Sequence, residues 1–146
     1  MIYTLSGPSD PLTAYVKDDP VRPHIPLEDR FGLDRFVFAL VDNDDTTKVL
    51  AMVCTKMCHG APASEEELLA DDTDLDTIVF YTIWSYDKGA GQELLRKVLA
   101  KAKVEMPGVN RFVTLSPQTE MARIFHLKNS ATIFRINETS VNYEYK

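Results

Sequence analysis

Apolar positions change period along this chain, and each change marks an element. Arg35-Phe-Val-Phe-Ala-Leu-Val-Asp42 is rich in β-branched and aromatic residues and predicts a strand. Asn43-Asp44-Asp45 follows as a turn, because short polar side chains tolerate left-handed backbone. Thr47 to Thr55 returns antiparallel and completes a hairpin. Thr77 to Trp84 is apolar almost throughout, which predicts a central strand covered on both faces. From Ala90 to Met106 the period lengthens. Leu94, Leu95, Val98, Leu99 and Ala102 then form one stripe of an amphipathic helix, which Pro107-Gly108 stops. Arg111 to Leu115 is the next buried strand; a helix joins it to its predecessor, so the two should be parallel with a right-handed crossover. Gln118 to Lys128 predicts a second helix with Met121, Ile124 and Phe125 inward. Thr132–Asn137 and Ser140–Tyr145 predict a C-terminal hairpin turning at Glu138-Thr139.

The first 34 residues break this regularity. Pro8, Pro11, Pro20, Pro23 and Pro26 remove backbone donors and fix φ, so the segment reads as a proline-rich arm or a wrap over a surface. Ser64-Glu-Glu-Glu67 is a capping box opening a short helix through Leu69. Asp71, Asp72, Asp74 and Asp76 read as a solvated acidic loop, since the spacing and glycine of a calcium loop are missing. There is no internal repeat or low-complexity tract. Residues 1–146 read as one α+β domain, long enough to bury a proper core.

Composition narrows the function classes. Apolar content of 45% with 26% charged residues fits a globular domain, and a net charge of −6 argues against general nucleic-acid binding. No apolar run approaches a membrane span, and Met1-Ile-Tyr-Thr-Leu-Ser-Gly-Pro8 lacks the features of a signal peptide. A cytoplasmic location is the expectation. Cys54 and Cys58, in Cys-Thr-Lys-Met-Cys-His59, have no second cluster to complete a tetrahedral metal site. They read as a reduced strand residue and a loop thiol. His24 and His59 read as surface residues.

The candidate chemistry lies in the second half. Lys88-Gly-Ala-Gly91 sits between a strand and a helix, where glycines let amides approach an anion and the helix dipole favours it. The same spacing also serves a tight turn with close strand–helix packing. Ser116 stands at a strand end before Pro117, a position that more often caps the following helix than supplies a catalytic hydroxyl. His126 falls on an otherwise apolar helix, as either a proton carrier or a satisfied boundary residue. Thr82 and Trp84 fill their strand.

Strand, glycine turn and helix in this order resemble the Gcn5-related N-acetyltransferase fold. Its central sheet is mixed and mostly antiparallel, is flanked by helices, and has a parallel splayed pair at the coenzyme A site. More particularly, residues 26–146 resemble the catalytic domain of malonyl-CoA decarboxylase. Phe80-Tyr-Thr-Ile83 is similar to that family's Phe-Tyr-Ser-Ile strand, and Phe112-Val-Thr-Leu-Ser-Pro117 carries its Leu-Ser-Pro signature. Gly60-Ala-Pro-Ala-Ser64, Phe125-His-Leu-Lys-Asn129, Arg135-Ile-Asn137 and Val141-Asn-Tyr-Glu-Tyr145 follow its pattern elsewhere.

The resemblance implies an acyl-CoA enzyme with no metal, acting on a small-molecule thioester and not on nucleic acid or membrane. It implies Ser116 and His126 as the catalytic pair, with Tyr145 lining the site. The pyrophosphate would lie on the turn Lys88, Gly89, Ala90, Gly91, Gln92 and Glu93, and the pantetheine beside Tyr81, Thr82 and Ile83. An amine acetyltransferase and a non-catalytic acyl-CoA binder are the alternatives, and a homodimer is a possible assembly. The chain departs from the family in three ways. Gly89 stands where the family has a catalytic glutamate. The family's helical insertion shrinks to Gln118–Phe125, and its N-terminal helical domain has no counterpart in this sequence.

Overall fold

The computed structural model describes all of residues 1–146. Its strands are β1 (Ile2–Thr4), β2 (Arg35–Val41), β3 (Val49–Cys58), β4 (Thr77–Ser85), β5 (Arg111–Thr114), β6 (Ser116–Pro117), β7 (Thr132–Ile136) and β8 (Ser140–Tyr145). The helices are α1 (Glu65–Leu69), α2 (Ala90–Glu105) and α3 (Glu120–Lys128), and two 3₁₀ helices span Pro11–Asp18 and Leu27–Arg30. The strands make a single sheet in the order β1-β2-β3-β4-β5-β8-β6, with β7 also pairing β8. Every pairing is antiparallel except β4 with β5, the pair joined by α2. The fold is therefore α+β with one parallel pair at its centre.

β4 is buried on both faces, as its unbroken apolar run requires. Ile78 and Phe80 pack with the stripe Leu94, Leu95, Val98 and Ala102 of α2 on one face. Val79, Tyr81 and Trp84 pack on the other with Leu12, Val16 and Ile25. The proline-rich segment is thus a layer of the core rather than an arm at its edge. A buried ion pair between Arg30 Nη1 and Asp19 Oδ2, 2.8 Å apart, ties it together. Asp19 Oδ1 accepts from the amides of Val21 and Arg22, both at 2.9 Å, and from Thr82 Oγ1 at 2.8 Å. Burial pushes this carboxyl up, but the amides and the guanidinium outweigh it and hold it below the usual carboxylate range.

Three local readings change, and the capping box holds. Ile2–Thr4 forms an additional edge strand on β2. β3 runs on to Cys58, which is therefore a buried strand residue and not a loop thiol. Ser64 caps α1 by accepting from the Glu67 amide, while Glu67 reaches back to the amide of Ala63 at 3.3 Å. On α3, Met121 and Ile124 are exposed, and the inward face is Ala122, Phe125, His126 and Asn129. The expected stripe is off by one position because this helix turns a polar imidazole toward the sheet, so hydrophobicity alone misplaces its buried face.

His24 and His59 are exposed but partnered: His24 Nε2 lies 2.6 Å from Glu65, and His59 Nδ1 lies 3.0 Å from the Asp74 carbonyl. The acidic loop is pinned to the same turn, with Asp72 accepting from the His59 amide and Asp76 from the Gly60 amide. No helix is long and apolar enough to cross a membrane.

Candidate functional site

The site follows from a split in the parallel pair. β4 and β5 stay in register from Thr77↔Arg111 to Phe80↔Thr114, and the amide of Leu115 still reaches the Phe80 carbonyl at 3.2 Å. Beyond that point β6 pairs with β8, through Ser116↔Val141, while β4 continues against β3 alone. A wedge opens between Tyr81–Ser85 and Ser116–Pro117. The register of β3 and β4 also slips at Tyr81, since Cys54 pairs with Thr82 and Thr55 with Phe80. This bulge resets the alternation of side chains, so Tyr81, Thr82 and Trp84 all face the N-terminal layer. The guanidinium of Arg22 donates to the Tyr81 carbonyl and pairs through Nε with Glu65 at 3.0 Å, so the bulge is held from the N-terminal layer.

The wedge widens into a cleft of about 630 Å³. Phe80 to Ser85 form its floor, Pro20 and Val21 one wall, and Ser116, Pro117, Phe125 and His126 the other, with Met121 also lining it. No charged side chain lines it. Gly91 borders the cleft at the start of α2, with Phe125 and Ser85 within ordinary contact distance of the position a Cβ would take.

Ser116 and His126 meet at this wall, while Tyr145, expected to line the site, stands behind His126 and off the cleft surface. Ser116 Oγ lies 3.1 Å from His126 Nε2, and His126 Nδ1 lies 2.6 Å from the Tyr145 hydroxyl. All three are buried. The imidazole stacks on Tyr143, with ring centroids 4.8 Å apart. Burial pulls the His126 pKa down to about 4, so the ring is neutral at pH 7. Burial, followed by the neighbouring Tyr143, pushes the Tyr145 hydroxyl well above the usual phenol range. The site at neutral pH is a chain of uncharged hydroxyls and one imidazole.

Of the turn residues, Lys88 and Gly89 are exposed at the end of β4, Ala90 is packed into the core, and Gln92 is half-buried. Glu93 is exposed and pairs with Lys97 at 3.1 Å. The amides of Gly91 and Gln92 have no partner within the chain, whereas Ala90 donates to Asp87 and Glu93 to Gly89. Gly89 caps the helix at φ 81°. Tyr81, Thr82 and Ile83 lie on the cleft floor.

Two contributors escaped the sequence reading. Thr114, two residues before Ser116, places its hydroxyl 2.8 Å from Ser116 Oγ; strand parity was the signal that would have found it. Pro20 and Val21 wall the cleft from a segment that carried no such signal.

No protein-family model and no curated protein matches the chain. Solved structures do. Malonyl-CoA decarboxylase from Agrobacterium vitis matches with a TM-score of 0.71 at 23% identity, over 89% of this chain and 36% of that one. The Rhodopseudomonas palustris malonyl-CoA decarboxylase matches at 0.75 and 18% identity, over 99% of this chain and 59% of that one. Arabidopsis thaliana NAA60 in complex with acetyl-CoA matches at 0.65 and 15% identity, over 99% and 97% of the two chains. The chain thus spans less than two thirds of the decarboxylases it matches and nearly all of NAA60. At these identities the likeness establishes the fold, which is that of the Gcn5-related N-acetyltransferases.

Proposed function

We propose that the cleft holds a coenzyme A thioester and that the domain decarboxylates malonyl-CoA, or a related malonyl thioester, to the acetyl thioester and CO2. The observation that carries this reading is the Ser116–His126–Tyr145 chain at the wedge mouth, in a cleft without a charged wall. The pyrophosphate sits at the unpartnered amides of Gly91 and Gln92, where the helix dipole also favours an anion. The pantetheine lies along Tyr81–Ile83 in the wedge. The thioester carbonyl then comes within reach of the hydroxyl and imidazole.

In the reaction, the bond from the α-carbon to the carboxylate breaks. CO2 leaves, and the electron pair moves into the thioester enolate. Hydrogen-bond donors at the enolate oxygen lower this barrier. An uncharged wall also offers the ground-state carboxylate no cation, whereas neutral CO2 needs none. The enolate carbon takes its proton from the Ser116–His126 chain, with Tyr145 holding Nδ1, and solvent returns it. No oxidant, metal or second substrate is required.

The fold match to NAA60 in complex with acetyl-CoA favours a second reading, an acetyltransferase acting on an amine. Against it, no carboxylate lines the cleft to deprotonate an acceptor. Mass analysis of products from malonyl-CoA and from acetyl-CoA separates the readings. Acetyl-CoA appearing from malonyl-CoA supports decarboxylation. Free thiol formed only with an added amine supports transfer, and binding of either thioester without turnover leaves an acyl-CoA binding domain.

A further inference from the structure

The hydroxyl of Thr114 is fully buried beside the pair. Its oxygen accepts from the Tyr143 amide at 3.0 Å and lies 2.8 Å from Ser116 Oγ. The Thr114 carbonyl accepts from Asn142 Nδ2 at 2.7 Å, so the residue is fixed from both its backbone and its side chain. Tyr145, His126, Ser116 and Thr114 each bring one mobile hydrogen at neutral pH. The links between neighbours use all but one of them, and the position of the spare hydrogen sets the direction of the whole chain.

If the hydrogens all run from Tyr145 toward Thr114, the Thr114 hydrogen is spare. If they all run the other way, the Tyr145 hydrogen is spare. Neither hydroxyl has another acceptor in reach, and both residues are buried, so each of these arrangements orphans a buried donor. One arrangement avoids the cost. Tyr145 donates to His126 Nδ1, His126 donates from Nε2 to Ser116, and Thr114 donates to Ser116 from the other side. The spare hydrogen is then that of Ser116, the member of the chain whose side opens on the cleft together with His126.

We infer that Thr114 is a positioning residue that, with His126, occupies the lone pairs of Ser116 and turns its hydrogen into the cleft. Ser116 is then a hydrogen-bond donor to a ligand oxyanion or carboxylate and not a nucleophile. The inference rests on reading this cleft as the acyl-thioester site.

Nitrogen-15 NMR of labelled histidine in the wild type tests the direction of the chain. The expected result is a neutral His126 protonated at Nε2 and bare at Nδ1; a proton on Nδ1 overturns the inference. Incubation with a fluorophosphonate, followed by intact-mass analysis, tests the occupied lone pairs. No adduct at Ser116 is expected, and an adduct there overturns the inference. With malonyl-CoA, Thr114→Val should lower kcat about tenfold or more at unchanged KM, while Thr114→Ser should stay near the wild type. Equal kcat for Thr114→Val and wild type overturns it as well. If wild-type protein never yields acetyl-CoA, the decarboxylase reading fails, while the tautomer and the adduct test still decide the inference. These two measurements also suffice if the valine variant does not fold.

Discussion

At the scale of residues, the neutral state of His126 couples the site to stability. Its ordinary pKa of 6.5 falls to about 4 on burial. The unfolded chain therefore binds a proton between these values that the folded chain refuses. The stability held by the neutral ring is complete above pH 6.5 and is lost as pH falls toward 4, a change of ~3 kcal/mol. Urea unfolding at pH 7 and pH 4 should show that loss, and His126→Leu should remove most of the difference between the two pH values. Catalytically, His126→Ala should reduce malonyl-CoA turnover by about 10²-fold or more with CoA affinity nearly intact. Because Ser116 acts on the same step, the Ser116→Ala/His126→Ala double variant should be little worse than the worse single, as steady-state kinetics would reveal. The sequence alone left Ser116 and His126 each with an ordinary structural explanation; only the family resemblance joined them. What it could not carry is the order of donors and acceptors, because that depends on Thr114 and Tyr143 meeting across β5 and β8.

Among elements, the α2 start and the β4 bulge determine what the cleft accepts. The glycine turn and the α2 stripe were legible because both are local: a break in pattern, then a period of 3.6. The bulge was not, since one extra residue in a strand leaves the hydrophobic run unbroken and shows only in the β3 pairing. The buried face of α3 was misread for a related reason, a polar residue occupying the buried position. Gly91→Glu should abolish most CoA binding, since it brings a negative charge and bulk to the unpartnered amides; calorimetric titration of the folded variant checks it. Gly89 behaves differently. At φ 81° a side chain there is strained whatever the surrounding space, so Gly89→Glu should lower stability by about 1–2 kcal/mol in denaturant unfolding. A carboxylate side chain therefore has no strain-free place at this position.

For the whole molecule, the N-terminal layer is the part least readable from sequence. Its prolines announce irregular backbone, but nothing local says that Asp19 and Arg30 will be shut inside the protein. That pair gains its environment only when the segment closes over β3 and β4, with Arg30 also donating to the carbonyls of Arg22 and Ile25. Truncating one partner strands the other charge, so Arg30→Met should cost ~3–5 kcal/mol in urea unfolding. The same layer supplies Pro20 and Val21 to the cleft and Arg22 to the β4 bulge, so a milder lesion there should weaken CoA binding before it unfolds the domain.

Cys54 lies beneath that ion pair, with its sulfur 3.5 Å from Arg30 Nη1 and its thiol pKa pushed up by burial to about 11. A soluble alkylating reagent can meet it only when the layer lifts, so in a Cys58→Ala background the alkylation rate becomes a stopwatch for lid-like breathing of the N-terminal segment. A thioester wedged between Val21 and β4 would hold the segment down and slow the stopwatch. Mass spectrometry would follow the labelling, and a rate indifferent to saturating CoA would place the ligand elsewhere.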